Sequence, residues 1–353
     1  MAIWIGNIIL LLLYSIFVGL KTEFKKENKI FLLLIVMFIQ LLFLYVFNDY
    51  KIFPDTLDYL RAFDYSLQVG WCDVYKIQHF APEIKLDLGW CYYTKALSFL
   101  CSYDRILLFA TGIIIIISYF VLIKRYSLIP WLSILLFIST VFYDSLFVLR
   151  QNLAVAICLF SIPYIRQRKI FQFSALIFLA FSMHQTAIIF VLLYLLYPLK
   201  IDKKFFFIVV SLGILFYMGF HFALNFAATH LIGFEIYNED IFEGSNNTLL
   251  ILSLSVLLFV LICYYPFFEI NEYDRLLFHM YALFFMIELS RIGLPGTIGR
   301  LNLYFYPAVV LLLPNAIKRI KVPVLKYISI TVISIVYFIF MIKHMSYGFD
   351  LIF

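Results

Sequence analysis

The sequence predicts an all-α, multi-pass membrane protein, and three observations carry that expectation. Of its 353 residues, 65% are hydrophobic and only 14% charged, with a mean hydropathy of +1.00; soluble domains carry about 25% charged residues. The apolar residues run continuously for close to the ~20 residues a spanning helix needs, instead of alternating as in barrel strands. The basic residues gather in short stretches between those runs. The net charge of +6 is therefore a topological signal rather than a nucleic-acid footprint.

Taken in order, the apolar runs place helices near 2–20, 30–47, 106–123, 128–144, 147–165, 170–183, 186–199, 205–224, 248–266, 276–290, 301–317 and 323–342, about twelve spans in a single membrane domain. The first has neither a basic leader nor a small-residue cleavage site and reads as a retained span. Residues 48–105 form a long polar loop after the second helix. Cys72, Cys91 and Cys101 lie in it, and Cys158 and Cys263 elsewhere. No C-x-x-C pair occurs; a Cys72–Cys91 disulfide is open to an external loop, with free thiols the simpler expectation.

Orientation follows the lysines and arginines. The stretches 21–29, 166–169 and 200–204 are basic and read as cytoplasmic, whereas 225–247 carries Glu235, Glu239, Asp240 and Glu243 with no lysine or arginine. The loops 48–105, 225–247 and 291–300 then lie outside. Only about 30 residues separate the basic stretches that end at 169 and begin at 200. A hairpin there has legs of about 22 Å, short of the ~30 Å hydrocarbon core. Its turn, which holds His184, is expected to be recessed within the protein.

Arg150, His184, Glu288, Arg291 and Arg300 fall at the outer ends of their helices. Charged side chains at membrane depth cost about 2.5–3.5 kcal/mol each on insertion scales and usually mark a functional path or pocket. The segment "RIGLPGTIGR", 291–300, has glycines that let backbone N–H groups turn toward an anion and an arginine at each end. Phosphate or diphosphate is its natural guest. Structural roles stay open: Arg150 paired with Asp144, Arg291 with Glu288, and His184 hydrogen-bonded to lock its turn. The sequence has no D-x-D motif, no P-loop and no metal-ligand spacing, so no metal or cofactor is expected. The aromatic and acidic outer loop suits sugar rings and hydroxyls, and equally an interfacial aromatic belt.

Five short motifs, in order, resemble the EpsG-like branch of the Wzy polysaccharide polymerases. They are "DTLDY" at 55–59, "DLGWCYYTKALSFL" at 87–100, "LRQNLAVAI" at 149–157, "FSMHQTAII" at 181–189 and "GRLNLYFYP" at 299–307. Asp87 stands where the family's pattern has glutamate. The resemblance implies a GT-C-like glycosyltransferase of the bacterial plasma membrane with its site facing outward. A growing O-antigen or exopolysaccharide chain would pass from undecaprenyl diphosphate to the terminal sugar of a new lipid-linked repeat unit. Arg150, Arg291 and Arg300 would hold the diphosphate; Gln151, Tyr59 and Tyr304 would contact substrate. The base or orienting acceptor is one of His184, Asp55, Asp58 and Asp87. Membrane lipids and a chain-length regulator are the candidate partners. The rival readings are a flippase of lipid-linked sugar, an O-antigen ligase and an acyltransferase using His184.

Overall fold

The computed structural model describes residues 26–48, 54–80, 86–230, 247–265, 270–290 and 299–345, with positions 6, 9, 10, 13 and 14 before them. Among these residues the regular structure is helical throughout. The expected span at 2–20, apart from those few positions, and the segment 291–298 with Arg291 lie outside the described residues. The chain divides into two compact units, residues 1–188 with 328–353, and residues 189–327.

In the first unit, α1 (Lys26–Phe47) packs against α5 (Arg105–Tyr126). These two are long and apolar enough to cross a membrane by length and composition. Gly112 permits their close approach, because a Cβ there would lie 2.8 Å from the Tyr45 ring. Arg105 donates to the carbonyls of Val46 (2.5 Å) and Asn48 (3.0 Å), placing a cation at the carbonyl end of α1, where the helix dipole favours it.

The segment expected as a long loop is largely helical. It holds α2 (Pro54–Gln68), α3 (Tyr75–Phe80) and α4 (Leu88–Leu100). In α2 the residues Thr56, Tyr59, Leu60 and Phe63 form a buried stripe at three- and four-residue spacing, while Arg61 and Asp64 face outward. An amphipathic helix of this kind has too many charges to register as an apolar run.

Several runs expected as regular spans are interrupted. The first, α6 (Pro130–Ser145), contains a π-helical turn at Ile138–Phe142. After a break, α7 (Leu149–Phe160) and the short α8 (Ile162–Arg166) divide at Ser161, with Pro163 opening the second piece. Arg168, at φ 55°, then turns the chain into α9 (Ile170–Met183). This left-handed position more often holds glycine. The next helix, α10 (Gln185–Leu196), is 3-10 as far as Phe190. The span expected at 301–317 begins as a 3-10 turn, Arg300–Tyr304, and becomes α-helical only at Pro307.

In the second unit, α13 (Glu272–Ser290) packs against α11 (Lys203–His230), α12 (Asn247–Tyr264) and α14 (Pro307–Arg319). At one end of α13 the buried Asp274 accepts from Asn315 (3.1 Å), Asn271 (3.0 Å) and Arg319 (3.3 Å). The Arg319 guanidinium lies 4.1 Å from the centre of the Tyr264 ring. The last helix is α15 (Pro323–Met345). Apolar helices, with no strand among the described residues, fit a membrane protein, since a helix satisfies its own backbone.

Candidate active site

The break between α6 and α7 prepares the site. Interrupting a helix leaves carbonyls without intrahelical partners, and two of these are taken by distant side chains. The Tyr45 hydroxyl donates to Ser145 O at 2.7 Å, and the Thr56 hydroxyl to Leu146 O at 2.8 Å. The chain then re-enters a helix at Leu149, so Arg150, Gln151 and Asn152 occupy the first turn of α7. All three are buried. The first turn of a helix carries partial positive charge from its N–H groups, and Arg150 adds a full one.

Arg150 donates from Nη1 to Asp87 Oδ2 at 3.0 Å and from Nε to the Tyr59 hydroxyl at 3.3 Å. Its guanidinium carbon lies 5.5 Å from the centre of the Tyr59 ring, a cation–π distance. Tyr59 in turn lies against Trp90, with ring centres 5.3 Å apart. Asp87 occupies the N-cap position of α4, where a carboxylate ordinarily caps its own helix. It makes no such bond here; its carboxylate is held by the arginine instead. The ion pair therefore joins residues 63 apart in sequence.

His184 ends α9 in extended conformation, φ −156° and ψ 122°. Its Nδ1 lies 2.7 Å from the Thr186 hydroxyl, which also accepts from Gln151 Nε2 at 3.5 Å. The imidazole is thus joined through one threonine to the residue beside Arg150. Gly89 holds the same neighbourhood together: a Cβ there would lie 2.6 Å from Ser182 Cβ, so only glycine lets α4 approach the end of α9.

Of the residues named from the sequence, Tyr59 and Asp87 are bonded to Arg150, and His184 is joined through Thr186 to Gln151, the next residue in the chain. Asp55 sits half-buried in the first turn of α2, a favourable place for a carboxylate. Asp58 pairs with the exposed Arg61, one turn later, at 3.1 Å. In the second unit Tyr304 is fully buried and Arg300 exposed. Between them in sequence, Asn302 donates to the buried Glu288 at 2.5 Å. Thr186 and Trp90, which contact the named residues of the first unit, are side chains that sequence reading passes over, as is Asn302 in the second. Thr186 stands inside "FSMHQTAII", two residues from the histidine, and that spacing was the available signal. All five cysteines are free, Cys72 exposed and Cys91 buried.

A buried arginine–aspartate pair beside an amide, a hydroxyl and an imidazole can hold an anion and orient a proton donor or acceptor next to it. The EpsG family model matches residues 31–351, nearly the whole chain. The chain belongs to the EpsG family. EpsG is a Wzy-like, polymerase-type family, so this EpsG chain is of a glycosyltransferase-like kind that extends polysaccharide. All five quoted motifs fall within the matched EpsG region. No curated protein and no solved structure matches the chain.

Proposed function

We propose that the protein polymerises lipid-linked polysaccharide repeat units on the outer face of the plasma membrane, across about twelve spans. The growing glycan moves from undecaprenyl diphosphate to the terminal sugar of a new lipid-linked repeat. The acceptor hydroxyl oxygen bonds to the donor's anomeric carbon. The bond from that carbon to the diphosphate oxygen breaks, and its electron pair leaves with the lipid diphosphate. The acceptor's proton passes to a side chain at the site.

The observation that carries this reading is the placement of Arg150. It is buried in the first turn of α7 and aimed by Asp87 and Tyr59. Negative charge grows on the leaving oxygen as the sugar–diphosphate bond breaks, and fixed cationic donors in a low-dielectric site stabilise such charge by several kcal/mol. Arginine suits the task better than lysine because its planar fork matches phosphate oxygens. Arg291 and Arg300 are further proposed diphosphate-binding residues. Gln151, Tyr59 and Tyr304 are proposed substrate contacts, and Asp55, Asp58, Asp87 and His184 are candidates for receiving the proton.

The test is the full-length protein in lipid vesicles with a purified undecaprenyl-diphosphate-linked repeat unit. A ladder of lengthening glycans is expected. Movement of the repeat across the bilayer without lengthening would replace this reading with a flippase. Sidedness is tested with a variant whose only cysteine is Cys72, which is exposed. It should react with an impermeant maleimide in intact spheroplasts, and failure to react until the membrane is opened would reverse the orientation. A second variant whose only cysteine is Cys91 serves as the unreactive control, since burial pushes that thiol up to about 12.

A further inference from the structure

The hydrogen bonds around His184 determine which of its nitrogens carries the proton. The backbone N–H of Thr186 donates to His184 Nδ1 at 3.4 Å. A backbone N–H can only donate, so a proton on Nδ1 would face another proton. The Thr186 hydroxyl reinforces the choice. It lies 2.7 Å from Nδ1 and accepts the amide N–H of Gln151, which leaves its own hydrogen to point at Nδ1. The chain of donation runs from Gln151 through Thr186 into the imidazole. In a neutral ring with its Nδ1 lone pair engaged, the proton resides on Nε2.

We propose that Thr186 is a positioning residue that fixes His184 as the Nε2–H tautomer, so that the imidazole serves as a hydrogen-bond donor to the departing diphosphate and not as the base. The inference rests on the polymerase reading for the donor's target, and on geometry alone for the tautomer. The backbone contribution survives any rotation of the hydroxyl, and the orientation of the Gln151 amide only strengthens it. The Thr186 N–H is available because the residue lies in the first turn of a 3-10 segment, Gln185–Phe190, where N–H groups have no partner within the helix. The histidine sits at the foot of that segment in the extended conformation that lets its ring fold back over the turn. The arrangement is the local hydrogen bonding typical of helix starts, with an imidazole in the place of a carboxylate. The candidates for the base are then Asp55, Asp58 and Asp87.

Two measurements test this on the full-length protein. The first is nitrogen NMR of isotopically labelled histidine. The chain has 6 histidines, so the His184 signals are taken from the difference between wild type and His184→Gln. A protonated Nε2 with an unprotonated Nδ1 is expected, with a shift toward a tautomer mixture in Thr186→Val and recovery in Thr186→Ser. A proton on Nδ1 overturns the assignment, and an unchanged spectrum in Thr186→Val overturns the hydroxyl's part in it, leaving the backbone N–H as the determinant. The second is the vesicle polymerisation rate. His184→Ala should lose about 10²-fold, the usual cost of one donor to developing negative charge. His184→Gln, which donates from its amide but cannot take a proton near neutral pH, should stay within about tenfold of wild type. Equal losses in both variants would overturn the donor role. If wild type makes no polymer, the polymerase reading fails and the donor's target with it, while the NMR result still decides the tautomer.

Discussion

Two arginine–aspartate–tyrosine groups occupy the two units, and they are built almost alike. In one, Arg150 pairs with Asp87 and lies over Tyr59; in the other, Arg319 pairs with Asp274 and lies over Tyr264. Their surroundings differ. Asp274 is surrounded by amide donors, with Asn315 on one oxygen and Asn271 and Arg319 on the other, and Asn271 also receives its backbone N–H. Such a carboxylate is fully committed to joining α13 and α14. Arg150 is instead followed in the chain by Gln151, whose amide donates to the Thr186 hydroxyl that contacts the His184 imidazole, groups able to change partners during a reaction. A buried arginine is therefore not in itself a mark of function; the adaptability of the groups beside it is.

The comparison breaks most sharply on removing the arginines. We expect Arg150→Ala to abolish long glycan, a loss of about 10²–10³-fold, and to lower thermal stability because the buried Asp87 loses its guanidinium partner. Arg150→Lys should rescue poorly. The apolar double variant Arg150→Met, Asp87→Leu should recover stability but not polymer, since well-packed apolar residues often replace a buried pair without loss. Recovery of both would make the first pair as purely structural as the second. Glycan ladders report activity and thermal unfolding in detergent reports stability.

Asp274→Asn sharpens the other side. It removes the charge and some of the accepted bonds, and should cost about 1–3 kcal/mol of stability while the rate per folded molecule stays near wild type. A rate that falls with stability unchanged would move Asp274 into the reaction.

A smaller effect is expected at Gly89. Gly89→Ala forces a Cβ against Ser182 and should destabilise by about 1–3 kcal/mol, the usual cost of overpacking. Ser182→Gly in the same chain should restore only part of that loss, because the Ser182 carbonyl oxygen lies 2.5 Å from the same Cβ and stays in place; a Gly89→Ala chain as stable as wild type would remove the contact as the cause. The smallest change is Tyr59→Phe. It keeps the ring under the guanidinium and deletes the hydroxyl, so it should cost about 0.5–1.5 kcal/mol, read as up to about a tenfold fall in rate.

The helical class and most helix positions were legible from hydropathy alone, as for α1 and α5. The interruptions were harder to read. The π turn at Ile138–Phe142 and the 3-10 starts at Gln185 and Arg300 lie in apolar runs that look uniform in composition, because tertiary contacts such as Tyr45 to Ser145 stabilise the breaks. The helices of segment 48–105 were hidden for the opposite reason, as their charges mask a buried stripe. At the site, charge in an apolar context exposed Arg150 and His184. The partner of Arg150 was not legible, since Asp144 is nearer in sequence than Asp87 and proximity in space depends on the packing of α4. Thr186 was overlooked because a threonine in an apolar helix carries no compositional signal; its importance lies in where its N–H points.

The separation of Asp87 from Arg150 also bears on how the chain is made. The ribosome releases Asp87 and α4 first and the arginine 63 residues later. During vectorial synthesis, where earlier segments fold first, Arg150 reaches a partly assembled protein in which its counter-ion is already present. The most costly charge in α7 then need not face the lipid alone. Chain order itself acts as the escort that brings the residue into its membrane helix.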